Sequence, residues 1–159
     1  MPVFIEWDVV SGPAVASAKL AALGVSLRAG GFRKPLQQSV REVLVPEIER
    51  QFAVGGDPKW PDITDSTKET KMRRVGHAYP ILVETGRLKK AATALARWHV
   101  KNDEATFTGL PGYAAYGTFH VTGTKYMPQR NWANWRDNTG DAVHQVFDEW
   151  VEEKIGAIF

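Results

Sequence analysis

The hydrophobic period changes twice along this chain, and that change limits the folds open to it. Leu36, Val40, Val43, Leu44, Ile48 and Phe52 recur at helical spacing from Lys34 to about Phe52. This predicts an amphipathic helix stopped by Gly55-Gly56. Pro46 lies inside the pattern. It lacks an N–H for the helical ladder and its ring crowds the carbonyl four residues back, so a kink or break is expected near it. Further on the period becomes two. Ala94, Ala96, Trp98 and Val100 share one face, Asn102-Asp103 supplies a turn, and Ala105, Phe107 and Gly109 form the return. A hairpin over 92–109 follows. Residues 113–121 (YAAYGTFHV) read as a third strand from their aromatic and β-branched content. Helical spacing then returns in Val143, Val146, Phe147, Trp150, Val151, Ile155 and Ile158, the buried stripe of a long helix beginning at Thr139 or Gly140. N-terminal helices, a small antiparallel sheet and a long amphipathic C-terminal helix make an α+β fold. At 159 residues the chain fits one domain with one core.

The intervening segments are read from punctuation. Val3, Ile5, Trp7 and Val9 alternate with Phe4, Glu6, Asp8 and Val10 as a short strand that Ser11-Gly12-Pro13 ends. Residues 13–28 are rich in alanine and leucine and predict a helix, with Pro13 tolerated in its first turn and Gly24 weakening its end. Gly30-Gly31 breaks the chain, and the role of residues 1–30 stays open. Asp57 to His77 is polar and holds two prolines, which predicts an extended loop with a short helical stretch capped at Thr64. A further short helix is expected after Thr85, through Leu88 to about Ala92.

Composition removes several classes of function. Cysteine is absent, so disulfides and thiolate metal sites are excluded, and a cytosol-like compartment or indifference to redox state follows. No apolar run approaches the roughly 20 residues needed to cross a bilayer, and the first ten residues carry no basic n-region, so neither a membrane span nor a signal peptide is expected. His77, His99, His120 and His144 show no metal-ligand spacing. The chain has no glycine-rich phosphate loop and no nucleophile elbow. The acidic pairs at 148–149 and 152–153 fit the wet face of one helix. The expectation is a protein that is not an enzyme and takes no metal or cofactor.

Charge is unevenly spread about a formal net of +2. Residues 1–101 hold 16 of the 20 basic side chains and 10 of the 18 acids. Such asymmetry suits a subunit whose two ends meet unlike surfaces, and equally suits helix faces that differ in sign. Lys68, Lys71, Arg73, Arg74, Arg87, Lys89 and Lys90 form a basic cluster able to meet DNA phosphates, which need only positive charge. Glu69 and Glu84 interrupt it, as in an ordinary solvated face.

Thr85-Gly86-Arg87-Leu88 reads as an N-cap at Thr85 with Leu88 turned inward. Arg87 is then either a plain surface arginine or an inter-subunit ion-pair donor. Arg130 follows Pro128 in a loop, so it is expected to project from a rigid point toward a partner. Trp132 and Trp135 beside it suggest a contact surface, since tryptophan and arginine are enriched at binding hot spots. The alternative packs both tryptophans under the last helix.

Several short motifs occur in an order that resembles the phage virion morphogenesis family, the tail-completion proteins of tailed bacteriophages. An amphipathic helix ending at Phe52 precedes Gly55-Gly56, Trp60-Pro61 and the threonine- and lysine-bearing stretch from Thr64 to Lys71. Ile81-Leu82-Val83-Glu84-Thr85-Gly86-Arg87-Leu88 is similar to that family's leucine followed by Thr-Gly-Arg-Leu. Tyr113-Ala114 opens the strand that the family places before a glycine, here Gly123, and Met127-Pro128-Gln129-Arg130 is similar to its Pro-x-Arg motif, with Trp132 as the following aromatic. Asn131 stands where the family usually has proline. The resemblance spans about residues 36–158. It implies a structural virion protein of the neck, present in the host cytoplasm during assembly. Copies would form a ring, a hexamer in the family's pattern, between a head-closure or connector protein and the tail tube or tail terminator, with genomic DNA crossing its lumen. A head-closure or portal-adaptor protein is a neighbouring reading, and a small nucleic-acid-binding regulator is the rival of another class.

Overall fold

A computed structural model describes residues 13–29 and 31–158, so the strand expected at residues 3–10 lies outside the described residues. Helix α1 spans Pro13–Ala29. Next come α2 (Arg33–Ser39), a π-helical turn (Val40–Leu44) and α3 (Val45–Val54), which run on without a break. The kink expected at Pro46 takes the form of that π-turn. The N–H of Val45 donates to the carbonyl of Val40, five residues back. This widens the helix just upstream of the proline ring. Gly55 ends α3 in the left-handed region at φ 74°. Gly56 follows at φ 92°, where a Cβ would lie 2.3 Å from Trp60 Cδ1. Glycine is required there by both backbone and space.

Thr64 caps α4 (Asp65–Val75) by accepting from the N–H of Thr67, as its spacing predicts. Helix α5 covers Arg87–Thr93, but its N-cap is Gly86 at φ 73° with no side-chain cap, so Thr85 does not serve. Leu88 does turn inward. The hairpin is shorter than the period suggests. A 3-10 turn takes Leu95–Arg97, leaving β1 (Trp98–Val100) paired antiparallel with β2 (Ala105–Phe107). Trp98 faces Phe107, His99 faces Thr106 and Val100 faces Ala105.

The expected third strand at 113–121 is instead a 3-10 turn (Gly112–Ala114) and helix α6 (Gly117–Thr122). Its burial shows why. Ala114 and Gly117 are buried and Val121 half-buried, while Tyr113, Tyr116 and Phe119 are exposed. That is a helical rhythm carried by small residues, which the large aromatics masked. A Cβ on Gly117 would come within 2.4 Å of Leu88 Cδ1, so the backbone itself packs on α5. Helix α7 (Thr139–Gly156) closes the chain as expected. It lies antiparallel against α2 and the π-turn, and α1 also packs on it. Lys34 near the start of α2 pairs with Glu153 at 2.8 Å, whereas Arg136 before α7 reaches Glu47 of α3.

The α+β fold is thus a set of helices with a small two-stranded antiparallel sheet. Its main core joins Ile48, Phe52, Trp60, Ile81, Leu88, Ala91, Ala92, Ala114 and Trp132. Phe52 meets Trp60 edge-on at 6.0 Å and stacks on Trp132 at 6.3 Å. Under α7, Phe32 contacts Phe147 and Trp150. Of the stripe expected on α7, Val146 and Trp150 are buried, and Val143, Phe147, Val151, Ile155 and Ile158 are half-buried. Buried Glu47 accepts from both Arg136 and Arg50, which compensates a carboxylate removed from water. No helix among the described residues is long and apolar enough to cross a membrane.

Candidate assembly interface

A cleft of about 420 Å³ opens between α4, the loop before α5, α6 and the loop through Met127. Its inner wall is built by cations turned inward. Lys71 is buried, and its ammonium donates to the carbonyls of Ala78 at 2.7 Å and Pro80 at 3.1 Å. Burial pushes that ammonium below its ordinary pKa, because desolvation disfavours the charged form. Arg130 lines the same cleft, with Nε donating to Pro61 O at 2.8 Å and Nη2 to Asp62 O at 2.9 Å. Leu82 on the cleft wall sits at φ 63°, a region non-glycine residues seldom adopt.

Asp62 gathers three donors at the cleft mouth. Lys68 Nζ lies 3.0 Å from its carboxylate, the Tyr79 hydroxyl donates at 2.8 Å, and the N–H of Ile63 donates at 2.8 Å. The Lys68 ammonium foremost, then the Tyr79 hydroxyl, hold the Asp62 carboxyl down to about 2. The same contact raises Tyr79, since ionising the phenol would lose its bond to a carboxylate.

The sequence-predicted site residues separate here. Arg130 is buried and spans two backbone carbonyls, which corrects the expectation that it projects outward to a partner carboxylate. The loop that holds it folds back on the protein, because the Arg130 N–H donates to His120 O and Gln129 Nε2 donates to Val121 O. Trp132 belongs to the main core and donates from Nε1 to Gly117 O at 3.0 Å, so it is no surface anchor. Nor does it pack under α7. Trp135 remains exposed. Arg87 is exposed and lies 5.0 Å over the ring of Tyr113.

The basic cluster is not wholly exposed. Lys71 points inward, Lys68 is taken by Asp62 and Asp65, and Arg74 Nη1 lies 3.1 Å from Glu84 without a directed hydrogen bond. Arg73 and Lys90 stay exposed and Lys89 half-exposed.

Residues that sequence reasoning passed over form an exposed aromatic stretch, part of which rims the cleft. Tyr113 is 53% exposed, Tyr116 47%, Phe119 55% and Tyr126 89%. Tyr116, His120, Tyr126 and Met127 line the cleft. Among the described residues the His120 Nδ1 finds no hydrogen-bond partner, and burial first, then the nearby Arg130 charge, lowers its pKa. Four exposed aromatic rings on one short stretch form the kind of amphipathic surface that protein partners cover. The signal lay in the spacing of Ala114, Gly117 and Val121, which turns the larger rings outward. Among the described residues, no group of three His, Asp or Glu side chains is arranged to hold a metal ion. Comparison with known proteins finds no matching family model, no matching curated protein and no matching solved structure.

Proposed function

We propose that this chain is a structural subunit of a tailed-phage neck, part of a ring that completes the tail and joins it to the DNA-filled head. The motif order from Phe52 to Trp132 supports this reading by resemblance. The observation that carries it is the set of exposed rings Tyr113, Tyr116, Phe119 and Tyr126, with Arg87 over the ring of Tyr113. Aromatic side chains offer large contact area at low entropic cost, and with arginine they dominate binding energy at protein interfaces. The rim would meet another copy of the subunit or an adjoining head or tail protein, and heterologous contacts between copies would close the ring.

Complementation tests this reading. A phage lacking the gene for this chain is grown with the triple variant Tyr116→Ala, Phe119→Ala, Tyr126→Ala. Filled heads and separate tails are expected, with a variant that melts as the parent does. Normal particles from that cross would remove the rim from assembly.

A further inference from the structure

The cleft between α4, the loop before α5, α6 and the loop through Met127 holds more positive charge than its own acids neutralise. Lys71, Arg87 and Arg130 all line it. Lys71 and Arg130 are only 8% and 6% exposed, and both donate to neutral backbone carbonyls. Among the described residues no carboxylate forms an ion pair with either, and the Arg87 guanidinium meets only the ring of Tyr113. Two acids, Asp62 and Glu84, also line the cleft. Each already has a cation at hand, Lys68 at 3.0 Å from Asp62 and Arg74 at 3.1 Å from Glu84.

A cation taken out of water is offset only in part by carbonyl dipoles, and an anion offsets it far better. Desolvation opposes the charge on both Lys71 and Arg130. Two further features of the same lining mark an incomplete site. His120 Nδ1 finds no hydrogen-bond partner among the described residues, and Leu82 holds φ 63°. Unsatisfied polar atoms and strained backbone gather where a ligand completes the structure. The rest of the lining says what the anion is carried on. Ile81, Leu82, Leu88 and Met127 give apolar walls, and Tyr116 and Tyr126 add exposed rings. A free anion would leave those walls wet. A duplex presents its phosphates on a wide, stiff cylinder, which suits exposed cations and not ones as buried as these. A carboxylate on a peptide side chain is narrow enough to enter a cleft of about 420 Å³, and its apolar neighbours cover the walls.

We infer that the cleft receives an acidic side chain, flanked by apolar residues, from a segment of the protein that docks on the aromatic rim. The inference names the chemistry of that partner and rests on the reading of the rim as a protein interface. The carboxylate pairs with Arg87 and the inner cations Lys71 and Arg130, while its neighbours pack on Leu82, Leu88 and Met127. Charge-assisted bonds of this kind fix the register of the docked segment, and the exposed rings supply its contact area.

Titration of the full chain with short blocked peptides, followed by the NMR signals of the His120 ring, tests the site. One peptide carries a single glutamate between leucines, and its control carries glutamine in that place. The glutamate peptide should bind about tenfold tighter, the least a hydrogen-bonded charge pair confers. Arg87→Glu, a change at an exposed position that should leave the melting temperature alone, should remove that preference. Lys90→Glu, an equal change of charge at an exposed position outside the cleft lining, should keep it. Equal binding of the two peptides, binding of neither, or loss of the preference in both variants would overturn the inference. A duplex oligonucleotide or free acetate that shifts the His120 signals as strongly as the glutamate peptide at equal concentration would overturn it as well. A cleft that takes no acidic peptide leaves the rim reading standing, because that reading is decided by whether particles assemble with Tyr116→Ala, Phe119→Ala and Tyr126→Ala.

Discussion

Arg130 Nε donates to the carbonyl oxygen of Pro61 at 2.8 Å, joining positions 69 residues apart in sequence. The same seam is closed by Trp60 Nε1 on Asn131 O at 3.2 Å and by Asn134 Nδ2 on Asp57 O at 2.8 Å. Two long irregular segments, one after α3 and one before α7, are thereby strapped together across the main core. Irregular backbone carries many polar groups, and here the side chains of each segment satisfy carbonyls of the other.

Arg130→Ala should therefore destabilise the folded chain itself, by about 2–3 kcal/mol, because two backbone carbonyls lose charged donors. Arg130→Lys should recover less than half of that loss, since an ammonium cannot reproduce the guanidinium fork. Urea unfolding followed by tryptophan fluorescence measures both. An unchanged midpoint in the alanine variant would return Arg130 to the interface role its sequence position suggested.

The tryptophans rank by burial rather than by position in a periodic stripe. Trp132→Ala and Trp150→Ala should each cost about 3–5 kcal/mol, the range for emptying a buried aromatic site. Phe147→Ala should cost clearly less, because Phe147 is only half-buried although it lies on the apolar stripe of α7. Thermal unfolding of the three variants gives the order. Phe147→Ala matching Trp150→Ala would contradict the packing of α7.

Legibility in the sequence followed the length of each periodic run. Leu36 to Phe52 and Val143 to Ile158 repeat their pattern over several turns, and both helices form where expected. The Thr64 cap was readable because its partner, the N–H of Thr67, is local. Residues 113–121 misled because strand propensity of aromatics reports a half-buried pleated surface, and here the rings face outward. Arg130 and Lys71 were read as surface charges because their acceptors are backbone carbonyls, which leave no trace in residue type. In the candidate site, Arg87 and Trp135 kept their exposed places, while the aromatic rim was missed along with the helical rhythm beneath it.

Asp62 gives the pH dependence a sign. Its carboxyl titrates at about 2 in the fold, below the ordinary value of about 3.9. The contribution is fully present above the ordinary value and is lost as pH falls toward about 2. Carbon-detected NMR titration of the Asp62 carboxyl should show the low midpoint. In Asp62→Asn the raised Tyr79 titration should move back down toward the ordinary phenol value. A Tyr79 titration identical in parent and variant would contradict the Asp62–Tyr79 bond.

The most direct measurement of the neck assignment is its position in the particle. Particles released from cells that carry the gene for this chain, with an epitope fused to its C-terminus, are decorated with gold-labelled antibody for electron microscopy. Label confined to a single site per particle, between head and tail, is the expected result. Label along the tail, over the head shell, or on no particle at all would contradict it.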